Sequence, residues 1–452
     1  MKATRYLPDR VGTPLPGVLL DHRCSGRTVE PELLSGSQLD EMRAVRESGL
    51  ATPAQELNPE ARRGAATMQP TRVLKFHAPE IVFGIDSMVE AAHAAVRLGA
   101  LRPMLVTDPG LVEAGWVDEM VAHLKEQCVD ARVWSALTPN PKDHEIAAGF
   151  QQYAEHGCDV LVAVGGGSVI DAAKGIAILA ANGGDILDYE GVDKATVPIP
   201  PLVVVPSTSG TGADVSQFCI VTDTTRNTKI TILGRALVPD ITVIDPRLLT
   251  TMPEWLNAAT GLDALTHGIE AFVSLGHNQL TDHHALRAVR MVTDNLVHTM
   301  DRPDDMPARV MMAQAALEAG LAFTNAILGA AHAMSHQVGG LLDLPHGVIN
   351  GILLPHVIRF NAEADPEPYA MIASGLGVSA SGVPAEEAAF ALADRIQRLA
   401  ADVGVPTGLA QIGVKDSDVP RLASTALRDA CMSTNPRPAD EAQMQALFRA
   451  AL

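Results

Sequence analysis

The 452-residue chain has few aromatic residues, 4% of the total, and few positive charges: 34 Lys and Arg stand against 53 Asp and Glu, for a formal net charge of −19. Nucleic acid and anionic membrane surfaces repel a protein of that sign, so neither is expected as a partner. Cysteine is scarce as well. The five thiols, at 24, 128, 158, 219 and 431, are odd in number, scattered, and never spaced as Cys-x-x-Cys. That pattern argues against a disulfide framework and for free thiols in a reducing compartment, and none is placed as a metal ligand. The longest apolar runs, such as 176–181 and 202–205, fall far short of a membrane span. No apolar core of signal-peptide length opens the chain, and a soluble cytoplasmic protein is the expectation. Internal repeats are also missing.

What is present begins with composition. A 47% hydrophobic and 19% charged content is ordinary for a globular protein, and the length suffices for two domains with their own cores. Residues 323–356, FTNAILGAAHAMSHQVGGLLDLPHGVINGILLPH, then set His332, His336 and His346 in an otherwise apolar, Gly-rich stretch. If 328–340 is helical, His332 and His336 share one face. A Gly-Gly break at 339–340 and the Leu-Pro-His-Gly turn at 344–347 would return His346 toward them. Upstream, TGLDALTHGIEAF at 260–272 offers Asp263 and His267, again four apart. Imidazole and carboxylate suit a first-row divalent ion such as iron or zinc. Taken singly, a histidine on an apolar helix is more often a core residue, and an Asp-x-x-x-His pair is common by chance. The residues alone leave both readings open.

Along the chain, 1–67 is punctuated by Pro and Gly and lacks periodic apolar residues, so it is expected to be a flexible extension. From 73 onward strand and helix signals alternate. The first predicted strand is 103–107, followed by Asp108. Helical spacing covers 116–127 and 146–155, with a strand at 131–134 between them. A β-branched run at 159–164 leads into Gly165, Gly166, Gly167 and Ser168, and then into a helix over 170–181. A strand, a glycine turn and a helix start make a recipe for binding phosphate, because free N–H groups face the anion and glycines let it approach. GGGSVIDAAK is not the G-x-G-x-x-G fingerprint, and a glycine triplet alone also fits a tight turn. A further strand at 201–206 precedes STSGTG at 207–212. After about Met252 helical patterns dominate, as at Leu286, Val289, Val292 and Leu296 and again at Ala389, Ala393, Ile396 and Leu399. Dividing the chain there gives an α/β nucleotide-binding domain over 68–252 and an all-helical domain over 253–452, with a site in the cleft between them.

The two histidine fragments resemble the metal-binding signatures of the iron-dependent (group III) alcohol dehydrogenase family. The likeness runs from about Leu74 to about Phe360 with the motifs in order, and more loosely to the C-terminus. It implies the dehydroquinate synthase-like fold of that family, with Asp263, His267, His332 and His346 as metal ligands. His336 falls on an extra histidine near the nicotinamide and is the candidate proton relay. GGGSVIDAAK resembles the family's GGGSxxDxAK pyrophosphate loop, which assigns Gly165, Gly166, Gly167, Ser168 and Asp171 to the cofactor. Ser207, Thr208 and Thr211 resemble its Thr/Ser-rich loop, although Asp214 stands where the family usually has Glu. Asn140, Ile220, Lys229 and Leu256 fall on further cofactor contacts. Asp108 falls where an acidic residue faces the adenosine ribose, which favours NAD over NADP.

The implied chemistry is interconversion of a primary alcohol and its aldehyde. It uses Fe(2+), with zinc competing for the same ligands, and takes place in a homodimer or larger homo-oligomer. The chain offers no Tyr-x-x-x-Lys dyad for a metal-free route. Two other readings share the superfamily: a glycerol-dehydrogenase-like or dehydroquinate-synthase-like enzyme, and the alcohol-dehydrogenase-like regulatory subgroup that GADVSQF at 212–218 and GGLLDLPHG at 339–347 resemble.

Overall fold

The computed structural model describes residues 75–452 apart from Asn227; the expectation for 1–67 lies outside the described residues. Short apolar runs build the sheet. β1 (Glu80–Phe83) leads to α1 (Val89–Arg97), and β2 (Met104–Val106) to α2 (Pro109–Glu113) and α3 (Trp116–Glu126). β3 (Arg132–Trp134) leads to α4 (Asp143–Glu155), and β4 (Leu161–Gly165) to α5 (Gly167–Asn182). β5 (Gly191–Val192), β6 (Leu202–Pro206), β7 (Phe218–Asp223), β8 (Thr228–Leu233) and β9 (Ile241–Ile244) follow.

Six strands form one parallel sheet in the order β1-β9-β6-β4-β2-β3, with Met104 opposite Leu161 and Leu161 opposite Leu202. Every residue of β4 and β6 is buried, as expected for parallel strands covered on both faces. Val162, Val203 and Val205 pack under α1 and α3, while Leu161, Ala163 and Val204 pack under α4 and α5. From β2 the chain moves outward to β3, and from β4 it moves the opposite way to β6. The direction therefore reverses between β2 and β4, and a crevice at the carboxyl ends of two such strands is where open α/β sheets bind ligands. Asp108 and the glycine triplet both sit there.

The rest is helical: α6 (Glu254–Val273), α7 (Gln279–Asp301), α8 (Met306–Ala326), α9 (Ala330–Leu342), α10 (His346–Ala362), α11 (Glu367–Gly375), α12 (Ala385–Asp402), α13 (Val419–Ala426) and α14 (Glu441–Ala450). The periodic residues Val289, Val292, Leu296, Ala389, Ala393, Ile396 and Leu399 all enter its core. The architecture is thus the expected α/β fold, with a parallel sheet, followed by an all-helical region. Among the described residues no single helix is long and apolar enough to cross a membrane.

The structure corrects the local reading in four places. A strand, β1, precedes 103–107, so Asp108 follows the second strand rather than the first. The antiparallel β7–β8 pair was not anticipated, because its Thr-rich alternation is half polar. Helix α5 starts at Gly167, inside the glycine triplet. Gly339 and Gly340 do not break α9, which runs on to Leu342; burial of the helix outweighs the glycine propensity cost of about 1 kcal/mol each. The turn is made instead by Asp343 in the left-handed conformation, φ 50°, and by Pro345.

Candidate metal centre and cofactor cleft

Helix α6 supplies Asp263, His267 and Glu270 at spacings of four and three, so all three carry the same face inward, each no more than 4% exposed. Helix α9 supplies His332 and His336, and α10 begins at His346. The close approach of α10 depends on Gly347: a Cβ there would lie 1.8 Å from the carbonyl oxygen of Ala259. Ligand atoms of Asp263, His267 and His332 lie within 4.8 Å of one another. Asp263 Oδ1 is 3.6 Å from His332 Nε2 and 3.9 Å from His267 Nε2. His346 stands beside them, its ring centroid 5.1 Å from that of His332.

Each imidazole is held by its Nδ1. His332 Nδ1 lies 2.6 Å from Glu270 Oε2, His267 Nδ1 3.2 Å from the Gly210 carbonyl, and His346 Nδ1 2.8 Å from Ser335 Oγ. Those partners leave Nε2 of His267 and His332 facing Asp263, with Asn350 Nδ2 also 3.1 Å from His332 Nε2, an arrangement in which histidines bind a divalent ion. Glu270 also accepts the N–H groups of Gly329 and Ala331, so one carboxylate both aims His332 and caps the start of its helix. Asn350 Nδ2 donates to Asp263 Oδ1 at 2.8 Å, while its own Oδ1 is buried with no partner among the described residues.

Electrostatics agree with the donor set. Burial opposes ionisation of Asp263, yet the surrounding imidazoles hold it well below the usual carboxylate range. Burial likewise disfavours a charged His332, but Asp263 and Glu270 raise it to about 9. Burial lowers His267 to about 4 and carries His346 far below its ordinary value. Asp263, His267 and His332, with His346 beside them, are donor types that a divalent metal takes, and the residues fit such an ion.

A cleft of about 820 Å³, open solvent included, runs from these residues to the carboxyl end of β4. It brings together the expected Asn140, Gly167, Ser168, Asp171, Thr211, Ile220 and Lys229 with Asp263, His267, His332, His336 and His346. The glycines are required by packing. A Cβ on Gly166 would come 2.9 Å from Thr208 Cγ2, and one on Gly167 2.8 Å from Thr211 Cγ2. The Ser/Thr loop therefore lies directly on the start of α5, while a Cβ on Gly210 would strike the Thr260 carbonyl at 2.3 Å where the same loop meets α6. Gly165, Gly166, Ser207 and Thr208 shape this loop without lining the cleft, with Ser207 N donating to the Gly165 carbonyl.

Charge in the cleft is mostly buried. Lys229 Nζ donates to Asn140 Oδ1 at 2.7 Å, and burial lowers it to about 8. Burial raises Asp171 to about 7. Lys174 faces inward, donating to the carbonyls of Ala213, Ser216 and Phe218; in this motif the lysine ties a loop down rather than facing the cleft. Asp108 caps α2 through Leu111 N at 3.0 Å, beside the crevice but not on the cleft wall. Leu256 is partly buried, packs against the cluster of Ile244, Leu249, Met252 and Ala313, and is not among the residues lining the cleft.

Sequence reasoning missed Glu270, Asn350, Asp429, Cys431 and Phe323. Glu270 was within reach, since it continues the inward face of Asp263 at i+7. Cys431 lines the cleft from near the C-terminus, and Phe323 stacks on His267 at 4.3 Å, with no local pattern to announce either.

Parallel sheet, phosphate-type glycine turn and histidine–carboxylate cluster facing one cleft fit a nucleotide-binding protein with a metal-type donor set. Comparisons narrow the class. The iron-containing alcohol dehydrogenase family model matches residues 78–246, and the model of that family's C-terminal part matches residues 257–452. The 1,3-propanediol dehydrogenase of Citrobacter freundii is 40% identical over 383 residues, 84% of this chain and 99% of that protein. The NAD-dependent methanol dehydrogenase of Bacillus methanolicus is 36% identical over 377 residues, 83% of this chain and 99% of that protein. A solved 1,3-propanediol oxidoreductase superposes with a TM-score of 0.82 at 40% identity, covering 84% of this chain and 100% of that one. The chain belongs to the iron-containing alcohol dehydrogenase family, whose chemistry couples alcohol and aldehyde through a metal and a nicotinamide cofactor.

Proposed function

We propose that this protein is an NAD-linked, iron(II)-dependent dehydrogenase of small primary alcohols, acting in the cytoplasm as a homodimer or larger homo-oligomer. The observation that carries the reading is the continuity of one cleft from the start of α5 to Asp263, His267, His332 and His346. Those four residues would hold the ion, which when bound supplies a Lewis acid to polarise the alcohol or aldehyde oxygen. Backbone N–H groups at Gly167 and Ser168, with Lys229 held by Asn140, meet the negative charge of a dinucleotide. Phe323, Leu328 and Cys431 line an apolar wall, which suits a short alkyl chain and excludes water. His336 takes up the hydroxyl proton as the carbon gives up its hydride.

Asp108, at the end of β2, supports NAD over NADP by charge, and the name of the methanol dehydrogenase relative points the same way. Iron follows the family, and zinc would occupy the same donors. The comparisons do not favour a glycerol-dehydrogenase-like reading, and the intact donor set speaks against a regulator without turnover. The test is a screen of short alcohols, diols and aldehydes against both cofactors, with metal analysis of the purified protein. Turnover of short primary alcohols with NAD is expected; binding of metal and NAD without turnover of any of them would overturn the reading.

A further inference from the structure

His336 is held from behind. Its Nδ1 lies 2.8 Å from Asp429 Oδ2, on a carboxylate that arrives from the turn after α13, 93 residues further along the chain. The same carboxylate accepts Gln337 Nε2 at 3.3 Å and, through Oδ1, the backbone N–H of Cys431 at 2.9 Å. Burial works against its ionisation, but facing His336 keeps it below the usual carboxylate range. His336, Asp429 and Cys431 are close enough to hold an ion. Each is already bonded to another of the three, however, so they form a hydrogen-bond node rather than a second metal site. The His336 ring stacks on His346, centroids 5.1 Å apart and planes 15° from parallel.

A carboxylate only accepts, so the hydrogen of His336 is fixed on Nδ1 and Nε2 is the nitrogen left for the cleft. We propose that Asp429 is a positioning residue of the reaction, setting the tautomer and plane of His336 so that Nε2 receives the hydroxyl proton. This rests on the alcohol–aldehyde reading above. In the oxidation the C–H pair leaves as hydride to the nicotinamide, the O–H proton goes to Nε2 and the C=O bond forms. Reduction runs the same transfers backwards. Chain order hides this pairing completely.

A double-mutant cycle on the full-length, metal-loaded protein tests it, using Asp429→Asn, His336→Gln and the double variant. His336→Gln is expected to lower kcat by about a hundredfold or more and Asp429→Asn by about tenfold to a hundredfold, with KM for the dinucleotide and metal content unchanged. The double variant should be no slower than His336→Gln alone, and Asp429→Glu should recover part of the rate. If Asp429→Asn does not fold, Asp429→Glu in the same cycle reads the same coupling. Losses that multiply in the double variant, or that fall on KM or metal content instead of kcat, overturn the positioning role. Absence of turnover in the native protein would instead defeat the alcohol–aldehyde reading, and this proposal with it.

Discussion

The two ends of the cleft are built from different materials. At the proposed metal end, side chains do the work: Asp263, His267, His332 and His346 would supply the ligand atoms, and each imidazole has its own partner behind it. At the cofactor end, the work falls to backbone and to missing side chains, with Gly166 and Gly167 seated under Thr208 and Thr211. A side-chain site fails when one donor goes. A backbone site fails when something is added, because close packing leaves no room for it.

The largest effect is expected from removing donors. Asp263→Ala and His346→Ala should abolish tight metal binding and lower turnover by about three orders of magnitude or more, while the fold persists. Glu270→Gln, one layer further out, should weaken metal affinity by about tenfold to a hundredfold. Metal analysis of dialysed protein separates the two, and a variant with full metal content would remove its residue from this account. At the other end, Gly167→Ala should raise KM for the dinucleotide by about tenfold through overpacking against Thr211, with metal content intact. Loss of metal in that variant would erase the distinction between the ends.

Cofactor choice comes next. A carboxylate at Asp108 should favour NAD over NADP by about tenfold in kcat/KM. Because Asp108 also caps α2, Asp108→Asn removes the charge and keeps the cap, whereas Asp108→Gly removes both. A narrowed ratio in both variants supports the charge; a native preference for NADP contradicts it.

The smallest effect is on pH. Asp171, raised by burial to about 7, gains negative charge above that pH, and Lys229, lowered by burial to about 8, loses positive charge as pH rises through it. Both changes make the cleft more negative, so dinucleotide affinity should fall a few-fold, roughly 3 to 10 times, between about pH 6.5 and 8.5. Titration calorimetry across that range checks the sign.

The same contrast explains what the sequence disclosed. Candidate donors at the metal end are visible as imidazole and carboxylate at helical spacing inside apolar helices, although only the resemblance reads them as ligands. The glycine triplet is also visible, and resemblance assigns the loop of Thr208 and Thr211, but their packing onto the start of α5 is not legible in the sequence. Asp429 and Cys431 reach the cleft from the far end of the chain, where no spacing rule applies. The run through Gly339-Gly340 misled because local propensity is a weak prior against tertiary burial.

The most direct test of the whole account is the dependence of alcohol oxidation on the ion. The full-length protein would be stripped by a chelator and reloaded with iron(II) or zinc, with NAD reduction followed using short primary alcohols and diols. Turnover is expected to disappear on stripping and return with metal, while NAD still binds the stripped protein. Undiminished turnover after complete metal removal would contradict that dependence.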